Sequence, residues 1–194
     1  MLYDKDIREP LFSFLEDEYG KIRIIEEKQI GKSRADAVMV MEKALCGIEI
    51  KSDADTYVRL NGQIKNYDKF YDYNYIAVGT KHAMHIGEHV PEWWGIITID
   101  ETDSEPDFYI LRKPKPNPEF NIKNKLGLMW RPELVSIQAK NKMPKYKEKS
   151  KKFVVGKIID TVPEEKLNLQ ISEELFERDY TTIAKEIDSY RQKR

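Results

Sequence analysis

Tyr57, Leu60, Ile64, Tyr67 and Tyr71 recur at steps of 3, 4, 3 and 4. That is the period of one face of an α-helix. β-prone runs flank this stripe on both sides. Leu45-Cys46-Gly47-Ile48-Glu49-Ile50-Lys51 precedes it, and Tyr73-Asn74-Tyr75-Ile76-Ala77-Val78-Gly79 follows it. A strand, a long helix from about Asp53 to Tyr71 and a buried strand in succession point to an α/β fold. Ser52 or Asp53 is the expected cap of that helix, with Asp55 a first-turn acid favoured by the helix dipole.

The flanking sequence extends the pattern. Asp6 and Glu9 have the capping-box spacing, Leu11, Phe12, Phe14 and Leu15 supply an apolar face, and Gly20 ends the helix they predict. Pro10 is expected in its first turn. Ile22–Glu27 and Arg34–Met41 read as strands joined by the turn Gly31-Lys32-Ser33, and Glu42-Lys43 turns the chain into the strand Leu45–Lys51. Alternation in that strand sets Cys46, Ile48 and Ile50 on one face and Gly47, Glu49 and Lys51 on the other. Beyond Gly79, residues His82–His89 read as a short helix or loop, Trp94–Ile99 as a strand and Phe108–Leu111 as an edge strand. Lys113-Pro114-Lys115-Pro116-Asn117-Pro118 cannot continue a ladder and reads as a stiff linker. Helices are expected over about Lys125–Lys140, Lys149–Asp160, Pro163–Glu177 and Tyr180–Arg191. The order is α-β-β-β-α-β-α-β around a central mixed sheet. It divides as a core over 1–112, a linker over 113–124 and a basic helical part over 125–194.

Charge follows this division. The 194 residues carry 33 Lys and Arg against 34 Asp and Glu, a net charge of −1. Residues 1–110 alone hold −9 and residues 111–194 hold +8, with +11 concentrated in 111–157. The near-zero sum is a cancellation and does not exclude a polyanionic partner. No apolar run approaches the ~18–20 residues of a membrane span. The first residues lack the basic and apolar regions of a signal peptide. Cys46 is the single cysteine, so an intrachain disulfide is excluded, and with three histidines it cannot build the usual Cys-rich zinc site. A cytosolic protein is expected.

Asp36 opens the second strand, and Glu49 and Lys51 share a face of the third, 13 and 15 positions later. A hairpin would let the three side chains converge. Two carboxylates and a lysine are costly to bury unless their charge is offset, which a divalent cation would do. Mg²⁺ takes oxygen ligands, commonly one or two carboxylates plus water and substrate phosphate, and Lys51 would then orient or deprotonate an attacking water. The bland alternative is a solvated strand face carrying a surface ion pair.

On these residues the chain resembles the PD-(D/E)XK nuclease superfamily, with its restriction-endonuclease-like core. Asp36 and Glu49-Ile50-Lys51 match the motif, with Ala35 in place of its proline. Gln63-Ile64-Lys65-Asn66-Tyr67 has the Q-x-x-x-Y spacing of the RecB-like branch. The wider set Arg34-Ala35-Asp36, Glu49-Ile50-Lys51-Ser52-Asp53, Asp55-Thr56, Arg59-Leu60, Val90-Pro91-Glu92-Trp93-Trp94-Gly95 and Trp130-Arg131-Pro132-Glu133-Leu134 is similar to a bacterial and phage family within it. The resemblance implies Mg²⁺ or Mn²⁺ held by Asp36, Glu49 and the Ile50 carbonyl, with Lys51 at the attacking water. It implies that Gln63 and Tyr67 support the site, and that Glu9 is the acidic residue of the first helix, with Glu26 or Glu27 as alternatives. The implied partner is DNA, with RNA the alternative, cleaved with low sequence specificity. Tyr67 also belongs to the apolar stripe and reads equally as core.

Three further features have competing readings. His82, His85 and His89 share a helical face, but Gly87 and the lack of a zincin-type acid favour surface or core histidines over zinc. Trp93-Trp94 reads as core packing. Lys140, Lys142, Lys145, Lys147, Lys149, Lys151 and Lys152 are opposed only by Glu148. They form either a solvated loop or a phosphate-binding surface beside the aromatics Trp130, Tyr146 and Phe153, and Arg34 reads either as a further phosphate contact or as the partner of a nearby acid. A protein that binds nucleic acid without cleaving it, or a phage or defence interaction protein, fits the same features.

Overall fold

The structure, a computed structural model, describes residues 4–53 and 55–179, so the helix expected over Tyr180–Arg191 lies outside the described residues. Six strands form one mixed sheet in the order β1 (Arg23–Ile30), β2 (Ser33–Val40), β3 (Leu45–Lys51), β4 (Tyr73–Gly79), β5 (Gly95–Asp100) and β6 (Asp107–Arg112). The first three are an antiparallel meander, β4 and β5 run parallel to β3, and β6 returns antiparallel at the edge. The two parallel steps are the ones that carry helical crossovers, as parallel pairing requires.

Helix α1 (Asp4–Tyr19) covers one face of the sheet. Its Ile7, Leu11, Phe12 and Leu15 are buried against Ala37, Met39, Cys46, Ile48, Ile50, Tyr75 and Ala77, each side chain contributing about 1.5–3 kcal/mol of transfer free energy. Because α1 begins by Asp4, Asp6 lies inside it rather than capping it, and Pro10 falls beyond the first turn. Gly20 (φ +73°) closes the helix, its N–H donating to the Glu16 carbonyl at 2.8 Å, the left-handed stop that glycine makes without strain.

The opposite face is covered by α2 (Leu60–Phe70), α3 (Thr80–Ile86), α4 (Ile122–Gly127), α5 (Arg131–Lys140), α6 (Lys151–Thr161) and α7 (Glu164–Glu177). Side chains from these helices share one core with Val38, Val40, Leu45, Ile76 and Val78 of the sheet. The expected alternation of β3 holds: Cys46, Ile48 and Ile50 face α1, while Gly47 lies under the rings of Tyr67 and Tyr71 of the other layer.

Three local expectations are corrected. The helix after β3 starts later than Asp53. Asp55 Oδ2 accepts the Ser52 N–H (2.9 Å) and hydroxyl (2.8 Å), and the Asp55 N–H returns to the Ser52 carbonyl. This closes a turn, Thr56 is extended, and a single 3-10 turn at Tyr57–Arg59 leads into α2. Next, Lys125–Lys140 is two helices, because Pro132 cannot donate to the carbonyl four residues back and its ring clashes there. The Glu133 carboxylate instead caps the new start by accepting the Trp130 N–H. Finally, the proline segment is pinned to the core. Lys115 N–H donates to the Trp93 carbonyl, Asn117 N–H to the Asp72 carbonyl, and Asn117 Nδ2 to the carbonyls of Asp68 (2.7 Å) and Tyr71 (2.8 Å).

Candidate active site

The antiparallel ladder between β2 and β3 is regular from Val40–Leu45 to Ala37–Ile48 and stops there. One residue further, the strands are joined through side chains. Asp36 Oδ2 accepts the Ile50 N–H at 2.8 Å. The Tyr67 hydroxyl, arriving from α2, accepts the Asp36 N–H at 3.2 Å and lies 3.0 Å from the Ile48 carbonyl and 2.7 Å from Glu49 Oε2. Its one proton goes to the carboxylate, the charge-assisted and shorter partner. Burial, then the neighbouring Glu49 and Asp36 charges, push the Tyr67 pKa well above 10, so it remains an O–H donor.

Glu49 is completely buried and Lys51 is 4% exposed. Lys51 Nζ and Gln63 Nε2 both donate to Glu49 Oε1. Glu49 therefore receives three donors, one of them a cation, which offset the cost of burying its charge. The other end of the Gln63 amide, Oε1, is buried without a hydrogen-bond partner. Flipping the amide would set Oε1 against the Glu49 carboxylate, so its orientation is fixed by charge. Gly47 makes room for this arrangement: a Cβ there would approach Tyr67 Cδ1 to 2.6 Å and Asn74 Oδ1 to 2.8 Å and would collide with Tyr71.

These residues open onto a cleft of about 740 Å³. Asp36, Glu49, Ile50, Lys51 and Gln63 line it, joined by Arg8, Glu27, Lys32, Arg34, Asp55 and Arg59. Glu27 has φ +55°, uncommon for a residue with a side chain. It sits where the β1–β2 register would place it opposite Asp36, and that one pair is missing from the ladder. Its carboxylate holds Arg8 Nη2 at 3.0 Å and Arg34 Nε at 2.5 Å.

Asp36, Glu49, Lys51, Gln63 and Tyr67 are thus brought together at the end of β2 and β3, with Ile50, whose carbonyl is the third expected metal donor, in the same lining. Glu9 is not among them. It is exposed on α1, and the preceding residue, Arg8, enters the cleft instead. Arg34 lines the cleft and pairs with an acid, Glu27. The lysines lie elsewhere: none of Lys140, Lys142, Lys145, Lys147, Lys149, Lys151 and Lys152 lines the cleft. Lys140 pairs with Glu173 and Glu174 (2.8 and 2.9 Å). Lys151 Nζ donates to the Gly127 carbonyl at 2.6 Å, and burial lowers its pKa. Lys142, Lys145, Lys147, Lys149 and Lys152 lie on and beside the α5–α6 loop, all exposed.

Arg8, Lys32, Arg59 and Asn66 were not apparent as site residues from sequence. Arg59, Gln63 and Asn66 are four and three residues apart on one helical face, a signal the Q-x-x-x-Y spacing obscured. For Arg8 no such signal exists.

Two carboxylates and a carbonyl on adjacent strands offer hard oxygen donors of the kind Mg²⁺ and Mn²⁺ take, and the orphaned Gln63 acceptor adds unmet oxygen beside them. Among the described residues, no three His, Cys, Asp or Glu side chains group as metal ligands. His82 and His89 pack against the ring of Tyr57 (centroids 5.1 and 4.8 Å), and His85 is exposed. The Trp93 and Trp94 indoles both donate to buried Asp68. No helix of the described residues is long and apolar enough to cross a membrane.

The family described as bacteriophage P4 protein cII matches residues 2–189 of the chain. The chain belongs to that family. Protein cII of Enterobacteria phage P4 is 27% identical to it over 115 residues, which cover 59% of this chain and 44% of that protein. The matched region is less than half the length of that cII protein. Among solved structures, SfsA of Pyrococcus furiosus, in complex with Ca²⁺, is 18% identical over 54% of this chain and 59% of its own, with a TM-score of 0.35. A family described by a phage protein agrees with the bacterial and phage resemblance read from the sequence.

Proposed function

We infer that this cII-family chain is a metal-dependent nuclease of the PD-(D/E)XK type acting on DNA, with RNA the alternative substrate. The observation that carries the reading is the joining of Asp36 and Glu49 through Tyr67 at the point where the β2–β3 ladder opens. The order α1-β1-β2-β3-α2-β4, with β4 parallel to β3, supports it.

Asp36, Glu49 and the Ile50 carbonyl would hold Mg²⁺ or Mn²⁺, which supplies Lewis-acid polarisation of a phosphoryl oxygen and a lower pKa for bound water. Everything else falls to the chain. Tyr67 and Gln63 fix the Glu49 carboxylate. Lys51, beside it, orients the attacking water. Lys32, Arg34 and Arg59 offer charge to the phosphates on either side of the scissile bond. The charged lining of the cleft addresses phosphates rather than base edges, so cleavage is expected to be largely independent of sequence. The exposed lysines of the α5–α6 loop, outside the cleft, would give phosphate a second, separate contact.

The test is cleavage of single- and double-stranded DNA and RNA with Mg²⁺ or Mn²⁺, with Asp36→Ala and Lys51→Ala as controls. Loss of cleavage in both variants is expected. Cleavage that survives both overturns the reading.

One observation favours a second reading. The Glu49 charge is already offset by Lys51, with two further donors in place, as in a binding protein that needs no cation. Calorimetry separates the two: salt-sensitive DNA binding without millimolar Mg²⁺ or Mn²⁺ binding selects the non-cleaving protein.

A further inference from the structure

Arg8 has an unusual set of partners. It is the residue that α1 sends into the cleft, and its side chain is 14% exposed. Nη1 donates to the Asp36 carbonyl at 3.1 Å and to Glu26 Oε2 at 3.1 Å. Nη2 donates to Glu27 Oε1 at 3.0 Å and lies 3.7 Å from Asp36 Oδ1. One guanidinium therefore faces three carboxylates and also grips the backbone of the residue that opens the site. Glu27 reaches it from a left-handed backbone, a conformation that an L-residue keeps only where surrounding contacts enforce it.

We propose that Arg8 is a built-in counter-cation for Asp36, a positioning residue that competes with a divalent ion for this carboxylate and so sets how tightly the cleft binds one. The proposal rests on the nuclease-type reading of the site. With Arg8 present, the cluster Glu26, Glu27 and Asp36 is partly neutralised without any metal. Without it, Glu27 keeps Arg34 but Asp36 loses the cation beside it, and a divalent ion meets an Asp36 carboxylate with no guanidinium to displace. Glu27 holds the guanidinium back. Neutralising Glu27 frees Arg8 to pair more fully with Asp36, so the two substitutions act in opposite directions.

The experiment is titration calorimetry of the full chain with MnCl₂ after chelator treatment, using wild type, Arg8→Gln, Arg8→Lys and Glu27→Gln. Arg8→Gln is expected to bind Mn²⁺ about tenfold tighter than wild type or more, the scale of one charge removed at close range. Arg8→Lys, which keeps the charge, should stay near wild type, and Glu27→Gln should bind several-fold weaker. Melting curves in chelator establish that each variant is folded, and Arg8→Lys tests the charge if Arg8→Gln is not. Mn²⁺ binding by wild type that is unchanged or weakened in Arg8→Gln overturns the proposal while leaving the nuclease reading intact. Arg8→Lys binding as tightly as a charge-removed site overturns it in the same way. No Mn²⁺ binding in any folded variant overturns both.

Discussion

The phenolic oxygen of Tyr67 stands 2.7 Å from Oε2 of Glu49 while accepting the backbone N–H of Asp36. One hydroxyl thereby links a helix to two strands at the place where their own ladder ends. Tyr67→Phe keeps the ring and removes that link. It leaves a fully buried carboxylate one donor short and the Asp36 N–H without its acceptor. Losses of about 1–3 kcal/mol per unsatisfied buried group are typical. Chemical denaturation should show a lower midpoint with an unchanged slope, and DNA cleavage should fall with it. An unchanged midpoint would mean that the hydroxyl is dispensable.

Gly47→Ala attacks the same site from below. The new methyl would meet the Tyr67 ring, Tyr71 and Asn74 Oδ1, and overpacking of this kind costs about 1–3 kcal/mol. The expected signature is a destabilised protein whose near-ultraviolet circular dichroism reports altered tyrosine packing. Retained spectrum and stability would show that the layer above β3 can move away.

Alkaline pH offers an independent check. Burial foremost, then nearby acidic groups, raises the pKa of Tyr67; burial foremost, then Cys46, raises that of Tyr71; burial foremost, then the bond with Tyr19, raises that of Tyr75. An unfolded tyrosine ionises near pH 10. Above that pH the unfolded chain releases protons that the folded chain keeps, so stability is fully present below about pH 10 and is lost progressively above it. Denaturation midpoints compared at pH 8 and pH 11 should fall steeply in wild type and less in Tyr67→Phe.

Lys28 has the opposite sign. Burial foremost, then Arg178, lowers its pKa to about 8, and its ammonium lies over the Trp130 ring at 5.8 Å. Between pH 8 and 10.5 the unfolded chain binds a proton that the folded chain does not, so this residue destabilises at neutral pH and the penalty fades as pH rises through 8. Lys28→Met should therefore melt higher than wild type at pH 7, with the difference shrinking by pH 9.5. A lower melting temperature at pH 7 would show that the cation–ring contact outweighs desolvation.

The loop lysines separate into two groups. Lys145, Lys147, Lys149 and Lys152 are exposed, whereas Lys140 and Lys151 have structural partners. Replacing the first four with Gln should leave melting nearly unchanged. If they meet phosphate, each lysine so replaced reduces the salt slope of DNA binding by about 0.9. An unchanged slope assigns the loop to solvent.

The α/β order, all six strands and the face on which Glu49 and Lys51 lie were legible in sequence because alternation and helical periodicity are local. What escaped depends on contacts between distant segments. Pro132 breaks a helix whose periodic pattern runs through it, and Asp55 folds the start of another into a turn. Asn117 ties to the core a proline-rich stretch that composition alone marks as a stiff linker. Arg8 is the clearest instance in the site: Glu9 carries the residue type the resemblance implies, yet the direction in which α1 faces the sheet brings in its neighbour. Only the packing of Ile7, Leu11 and Leu15 decides that rotation.

The bond from the Ile50 N–H to Asp36 Oδ2 turns one backbone amide into a spectroscopic gauge. An amide in a ladder reports on its partner strand, whereas this one reports on the charge and occupancy of a single carboxylate. In a ¹⁵N-labelled sample, the Ile50 resonance should shift when Asp36 is protonated or binds a cation, before any substrate is added, while the amides of Val40 and Leu45 at the far end of the ladder stay where they are.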